Sequence, residues 1–334
     1  MNIRHRKMKL QDVPGCVSFV ASQPALRARY TSMEDLAKTW AKLIDDEFAC
    51  MILYEAISGT RSTIWGVSAA AFVKESFVRE IKTPPFFWIG PEFARRVNSA
   101  YSPVLSSKEI REANSTNGLN IVVFQGNILP ANPLWLETYY AGVKAFFEEY
   151  RGYQIKEIIG SQADTPEFLA SMLQGGATLF HPESEQRTRV NTDLEQVVKT
   201  PHVVTLSFET AKVLTGSWFS SVFDYHPPIM KLSPSQQRLL LFALKGDTDQ
   251  VLAEKLHLSL AAVKKTWAAI YEKAETNLPG LSKPPGDTQI HENFKRGAER
   301  KRHVIAYVRE NMQELRPVSH ELISKRIAHG TRVS

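Results

Sequence analysis

The sequence predicts an α+β fold, a mixed α/β layered domain followed by an all-α domain and a C-terminal helix. Three observations lead there. Strand-like and helix-like segments alternate through the first two hundred of its 334 residues, the pattern of helices packed on a central sheet. From Leu232 onward the apolar periodicity is helical only. The charge changes at the same place. Lys231 to Ser334 carries 18 Lys/Arg against 11 Asp/Glu, a net of +7, whereas positions 1–230 carry 23 against 24, a net of −1. A near-neutral domain joined to a polyanion-binding module has this distribution.

In chain order, EDLAKTWAKLIDDEF (34–48) is helical, with Leu36, Trp40, Leu43 and Ile44 on one face. MILYEAI (51–57) and STIWGVSAAAFV (62–73) are rich in β-branched and aromatic residues, and Ser58-Gly59 between them reads as a turn. TPPFFWIGP (83–91) holds too many prolines for a central strand. LNIVVFQ (119–125) is a strand whose near-continuous apolar run predicts burial on both faces. A helix follows from Leu134 to Tyr150, then the strand IKEIIGSQ (155–162) and the helix TPEFLASMLQ (165–174), closed by Gly175-Gly176. ATLF (177–180) and HVVTLSF (202–208) complete the strands.

This order resembles the GNAT acetyltransferase fold over residues 1 to 185, with EIIGSQADTPEFLASMLQGGATLF as the best local match. The resemblance implies an N-terminal strand with two helices, antiparallel strands, a central strand and helix, and a final strand–helix–strand. It also implies an acetyl-CoA site, in which a Gln/Arg-x-x-Gly-x-Gly/Ala turn after the central strand holds the pyrophosphate on backbone N–H groups. This chain instead reads GNILPANPLWLETYYAG. Gly126 has no spaced glycine partner, and Pro130 and Pro133 remove two of the donors. The expectation is therefore a chain that is not an enzyme, with no catalytic residue, cofactor or metal.

The remaining chemistry-bearing residues read blandly. His181 and His202 stand apart and are read as surface or satisfied core histidines, and Asp45-Asp46 and Glu148-Glu149 as solvated helix positions. Phe86, Phe87 and Trp88, with Trp65 and Tyr139-Tyr140, are candidates for lining a ligand pocket, though core packing explains them equally well. No apolar run approaches the length of a membrane span, and MNIRHRKMKLQDVPG lacks the apolar core of a signal peptide. Cys16 and Cys50 have no CxxC or CxxH neighbours, so they read as buried thiols of a cytoplasmic protein.

LSPSQQRLLLFALKGDTDQVLAEKLHLSLAAVKKTWAAIYEKA (232–274) reads as three helices. Ser233-Pro234 supplies a cap and a first-position proline, and Gln236 completes a capping box. That helix runs to about Lys245, with Gly246 as the left-handed residue beyond it. Thr248 caps a second helix that turns Val251, Leu252 and Leu256 inward. Ser259 caps a third, with Val263, Trp267, Ile270 and Ala274 in one stripe. Its outer face carries Ala261, Lys265, Ala268 and Glu272, flanked by Lys264 on one side and by Ala262 and Ala269 on the other. Alanines let a helix sit deep in the roughly 12 Å major groove, where their methyls touch thymine. Lysines and the N–H groups at the helix start meet phosphates or guanine edges. Two short helices joined through Leu256–Ser259 have helix-turn-helix geometry, the second helix being the reader.

The segment resembles, without gaps over 43 residues, the LuxR/NarL-type helix-turn-helix. It matches at Leu232, Pro234, Gly246, Ala253, Leu256, Ser259, Val263, Lys264, Ile270, Tyr271 and Lys273. The resemblance implies DNA contacts from Ala261 to Thr266. The candidate DNA-binding set is Thr248, Ser259, Ala261, Ala262, Lys264, Lys265, Thr266 and Ala268. The chain departs from the pattern at Val251, at Ser235-Gln236, and at Ala262 and Thr266, which leaves the preferred DNA sequence open.

FDYHPPIM (223–230) reads as a linker stiffened by Pro227-Pro228, and KPPGD (283–287) as a second break. Beyond it, Ile290 to Leu315 predicts one long helix with Ile290, Phe294, Ala298, Ile305, Val308, Met312 and Leu315 near one stripe, ended by Pro317. The expected organisation is a sensor or partner-binding domain over 1–222, a linker over 223–231, a DNA-binding domain over 232–282 and a basic helical extension over 283–334. The expected function is transcriptional regulation by a homodimer on double-stranded DNA, with a small-molecule effector for the N-terminal domain. The alternative is an acyl-CoA-dependent GNAT-type acyltransferase fused to a DNA-targeting module.

Overall fold

The computed structural model describes residues 2–44, 49–128, 134–160, 165–181, 193–213, 220–278 and 297–317. It divides into two compact units, one of residues 1–150 and 154–224, the other of residues 151–153 and 225–334.

Among the described residues, the first unit is a mixed α/β domain built on seven strands. In chain order they are β1 (Asn2–Lys7), β2 (Ala49–Ser58), β3 (Arg61–Val73), β4 (Leu119–Ile128), β5 (Ile155–Gly160), β6 (Thr178–Phe180) and β7 (Val203–Ser207). They form one sheet in the order β1-β2-β3-β4-β5-β7-β6. The β2–β3 hairpin closes at the pair Ser58↔Arg61, where Gly59 takes φ +60. A two-residue hairpin turn demands positive φ, so the glycine suits the turn that sets the register from Ser58↔Arg61 to Glu55↔Ile64, beyond which the register shifts by one residue. The β4–β5 pairing is parallel and the other ladders are antiparallel.

Helices cover both faces. α1 (Val13–Ala21), α2 (Pro24–Arg27) and α3 (Met33–Ile44) follow β1, and α4 (Glu75–Ile81), α5 (Ile89–Val97) and α6 (Ser107–Ser115) lie between β3 and β4. α7 (Trp135–Tyr150) makes the β4–β5 crossover, and α8 (Pro166–Gln174), α9 (Leu194–Val197) and α10 (Phe208–Val213) complete the unit. Leu36 and Trp40 of α3 are fully buried, as the amphipathic spacing predicts, in a core that also holds Leu53, Ala71, Phe93 and Phe124. Phe93 and Phe124 stack at 4.3 Å. α7 takes the other face. Its Tyr150 meets Phe72 edge-on at 5.2 Å, and Phe72 is one residue out of step with Ala71 along the strand. Glu149 of α7 is held by Lys7 at 2.7 Å, while Glu148 is exposed. Periodicity predicts no helix between residues 75 and 115, where α4, α5 and α6 stand. Each has nine residues or fewer, too short for an apolar period to register against the prolines around them.

The second unit holds α11 (Pro234–Ala243), α12 (Asp249–Leu256), α13 (Leu260–Asn277) and α14 (Gly297–Glu310) around one core. Leu239, Leu240, Leu252, Val263, Ile270 and Val308 are its fully buried centre. Met230, inside the expected linker, is also fully buried in this core. The expected Ile290–Leu315 helix is corrected here. Its first seven residues lie outside the described ones, α14 ends at Glu310, and Asn311 (φ −117, ψ 65) breaks it before a 3-10 turn over Met312–Leu315. The turn drives Glu314 inward. Its buried carboxylate accepts from the backbone N–H groups of Ile229 and Met230, each at 2.9 Å, and from the Tyr307 hydroxyl at 3.1 Å.

Candidate nucleic-acid interface and ligand cavity

The three helices from residue 234 are fixed locally by their ends. Ser233 Oγ accepts from Gln236 N–H while the Gln236 side chain accepts from Ser233 N–H, a complete capping box. Gly246 has φ +88 beyond α11, as the C-terminal position requires. Thr248 Oγ1 accepts from Val251 N–H to cap α12, and Ser259 Oγ accepts from Ala262 N–H to cap α13. Between them His257 takes a left-handed conformation (φ 53), and Leu258 N–H reaches back to Ala253 O at 2.9 Å. No residue pattern announces a histidine there.

α13 is sharply two-faced. Val263, Trp267, Ile270 and Ala274 are buried, and Leu260, Ala261, Lys264, Lys265, Ala268 and Glu272 are exposed. Ala262, Thr266 and Ala269 lie half-buried on the flanks. Among the described residues Lys255, Arg300 and Lys301 each meet a carboxylate within 3.0 Å, whereas Lys264 and Lys265 pair with none. Thr266 Oγ1 donates to Ala262 O, and Thr248 and Ser259 spend their oxygens on caps. Of the eight candidate residues, five belong to the exposed or flanking face of α13 with free side chains: Ala261, Ala262, Lys264, Lys265 and Ala268. Val251, expected inward, is only half-buried; Leu252 and Leu256 turn into the core.

In the first unit, β4 and β5 run together from Leu119↔Ile155 to Val123↔Gly160, the last residue described on β5. A cavity of about 240 Å³ lies between β4, β5, α7 and α8. Its described lining contains no charged side chain. The lining hydroxyls include Tyr54 and Ser68, hydrogen-bonded to each other at 2.8 Å. Of the aromatics expected at a pocket only Tyr139 lines it. Phe86 and Phe87 pack against the opposite core, and Trp88 lies under the Arg29 guanidinium at 4.0 Å and edge-on to His202. Residues 129–133, with Pro130 and Pro133, lie outside the described residues, as do Asp45 and Asp46.

The two histidines are core residues. His181 Nε2 meets Thr200 Oγ1 at 2.8 Å. His202 is fully buried, its Nδ1 on Thr200 O at 2.9 Å, but its Nε2 has no hydrogen-bond partner among the described residues. Burial holds the His202 pKa below its ordinary value. Both cysteines are buried free thiols, each pushed up to about 12 by burial. Among the described residues no group of three His, Cys, Asp or Glu stands close enough to hold a metal, and no helix is long and apolar enough to cross a membrane.

No family model matches the chain, and no curated protein matches it by sequence. A structural match exists to the loading GNATL domain of CurA from Lyngbya majuscula, at 10% identity and a TM-score of 0.37. It covers 62% of this chain and 98% of that one. The expectation of a chain that is not an enzyme is withdrawn beside this match.

Proposed function

We propose that the protein is a DNA-binding transcriptional regulator in which α12 and α13 form a LuxR-type helix-turn-helix and α13 is read into the major groove. The observation that carries this is the outer face of α13, where Lys264 and Lys265, unpaired among the described residues, stand beside Ala261 and Ala268 above a buried stripe. Small side chains permit close approach to base edges, and the two ammonium groups sit within two turns of the capped helix start, where N–H groups favour phosphate. Glu272 shares this face but lies eight residues beyond Lys264, roughly 12 Å further along at 1.5 Å per residue. An N-terminal reading mode keeps it clear of the backbone phosphates.

The first unit, GNAT-like in its sequence order, serves as the sensing half and takes a small molecule. Two copies reading paired half-sites would form a homodimer whose two-fold the operator mirrors. The test is titration of the full chain with a labelled double-stranded DNA pool at several salt concentrations. A saturable affinity that falls steeply with salt is expected. No binding at about 50 mM salt, the low end at which phosphate contacts are strong, overturns the proposal.

A further inference from the structure

We infer that Leu260, the first residue of α13, is a specificity-determining residue that contacts the C5-methyl group of a thymine in each DNA half-site. The inference rests on the DNA-reading proposal above and names a base that the reader selects. Three features of α13 support it.

The first is an exposed leucine that the fold does not use. Among the described residues of α11, α12 and α13, Leu260 is the one large apolar side chain that stands exposed, at 41%. It belongs neither to the buried core of the second unit nor to the partly buried side chains packed against that core. Leu258 does belong to them. It precedes the Ser259 cap, the position from which a hydrophobic staple reaches the fourth helical residue, here Val263. The usual structural use of an apolar side chain at a helix start thus falls to Leu258, and Leu260 is left over.

The second is the charge around it. The first turn of α13 holds no acidic residue, although carboxylates are the side chains a helix N-terminus favours. Lys264 stands four residues after Leu260, a spacing that makes the two neighbours on the helix surface. Lys264 and Lys265 are both exposed and pair with no carboxylate among the described residues. An apolar tip flanked by two cations complements a surface with phosphates at its rim and methyl groups on its floor. The DNA major groove is such a surface.

The third is its place in the reader. A helix-turn-helix contacts base edges with the N-terminal residues of its second helix. Helical side chains lean toward the N-terminus of their own helix, so a leucine at the first position extends past the helix end. Ala261 beside it is exposed and small, and does not hold the helix away from the bases. Guanine, adenine and cytosine present donors and acceptors in the major groove, whereas thymine adds a methyl group. Contact between that methyl and Leu260 removes both from water.

The experiment uses the full chain and a duplex that it enriches from a random-sequence pool, remade with deoxyuridine replacing thymidine at one position at a time. Each exchange removes one methyl group and keeps the base pair and the phosphates. Wild-type affinity should fall about fourfold at one position in each half-site, the worth of about one buried methylene. Leu260→Ala should bind the thymidine and deoxyuridine duplexes alike at that position, with an unchanged salt slope because no charge is removed. Leu260→Gln, as long but polar, is the second variant and should lose the same preference. A wild-type chain indifferent to every exchange, or a folded variant that keeps the wild-type response at every position, overturns the inference and leaves DNA reading standing. DNA binding that enriches no sequence does the same. A chain that binds no DNA overturns the regulatory reading and the inference together.

Discussion

The indole N–H of Trp267 donates to Asp249 Oδ1 at 3.1 Å, joining the middle of α13 to the first turn of α12. Lys301 of α14 closes the same group, its Nζ 2.7 Å from Asp249 Oδ1 and 5.0 Å from the Trp267 ring centroid. One carboxylate thus fixes the angle between the two helices and anchors a third. Asp249→Ala leaves the indole and the ammonium without their acceptor and should destabilise the second unit by about 1–3 kcal/mol. A urea titration reads this as a lower midpoint at unchanged slope; an unchanged midpoint refutes the role.

Ser259 caps α13 through Ala262 N–H. Ser259→Ala should cost about 1 kcal/mol, and Ser259→Asp should recover most of it, because an acidic cap satisfies the same donor. Thermal unfolding of the two variants checks the order. DNA affinity should separate them: the aspartate brings negative charge to the helix end proposed to face phosphate and should bind DNA more weakly than the alanine.

Gly142 of α7 lies against Tyr54, where an added Cβ would stand 2.6 Å from the hydroxyl and 3.2 Å from the ring carbon that bears it. Tyr54 is buried and its hydroxyl is held by Ser68, so it cannot swing aside freely. Gly142→Ala should destabilise by about 1–3 kcal/mol as an overpacked site. Combined with Tyr54→Phe it should lose less than the sum of the two single changes, since the closest clashing atom is gone. Additive losses in a double-mutant cycle contradict this.

His202 predicts a pH dependence. Burial depresses its folded pKa below the ordinary histidine value, so the unfolded chain binds the proton more tightly. The resulting stability is fully present above the unfolded value of about 6.5 and is lost as pH falls from there through the folded pKa. His202→Gln should flatten the stability–pH curve of the first unit in that window. A curve of unchanged slope contradicts the assignment.

Much of this architecture is legible in the residues. Leu36, Trp40 and Leu43 mark their helix by spacing, and LNIVVFQ marks a strand buried on both sides, because both signals come from local periodicity. Ser233, Gln236, Gly246, Thr248 and Ser259 are readable because each cap needs one residue type at one place. The cavity is not. Its lining is gathered from strands β2 to β5 and β7 and from helices α7 and α8, residues that only the fold brings together. The short helices α4 to α6 are hidden for the opposite reason, having too few turns to show a period. Aromatic clustering misleads as well, since Phe86 and Phe87 serve the core and Tyr139, far away in sequence, faces the cavity.

The most direct test of the DNA-reading claim is the salt dependence of DNA affinity in a Lys264→Ala, Lys265→Ala double variant against the wild-type chain. Both side chains are exposed and unpaired among the described residues, so their removal should leave folding intact. Weaker binding is expected, with the slope of log affinity against log salt reduced by about 2, one for each phosphate no longer neutralised. Wild-type affinity and slope in the folded double variant would contradict the account.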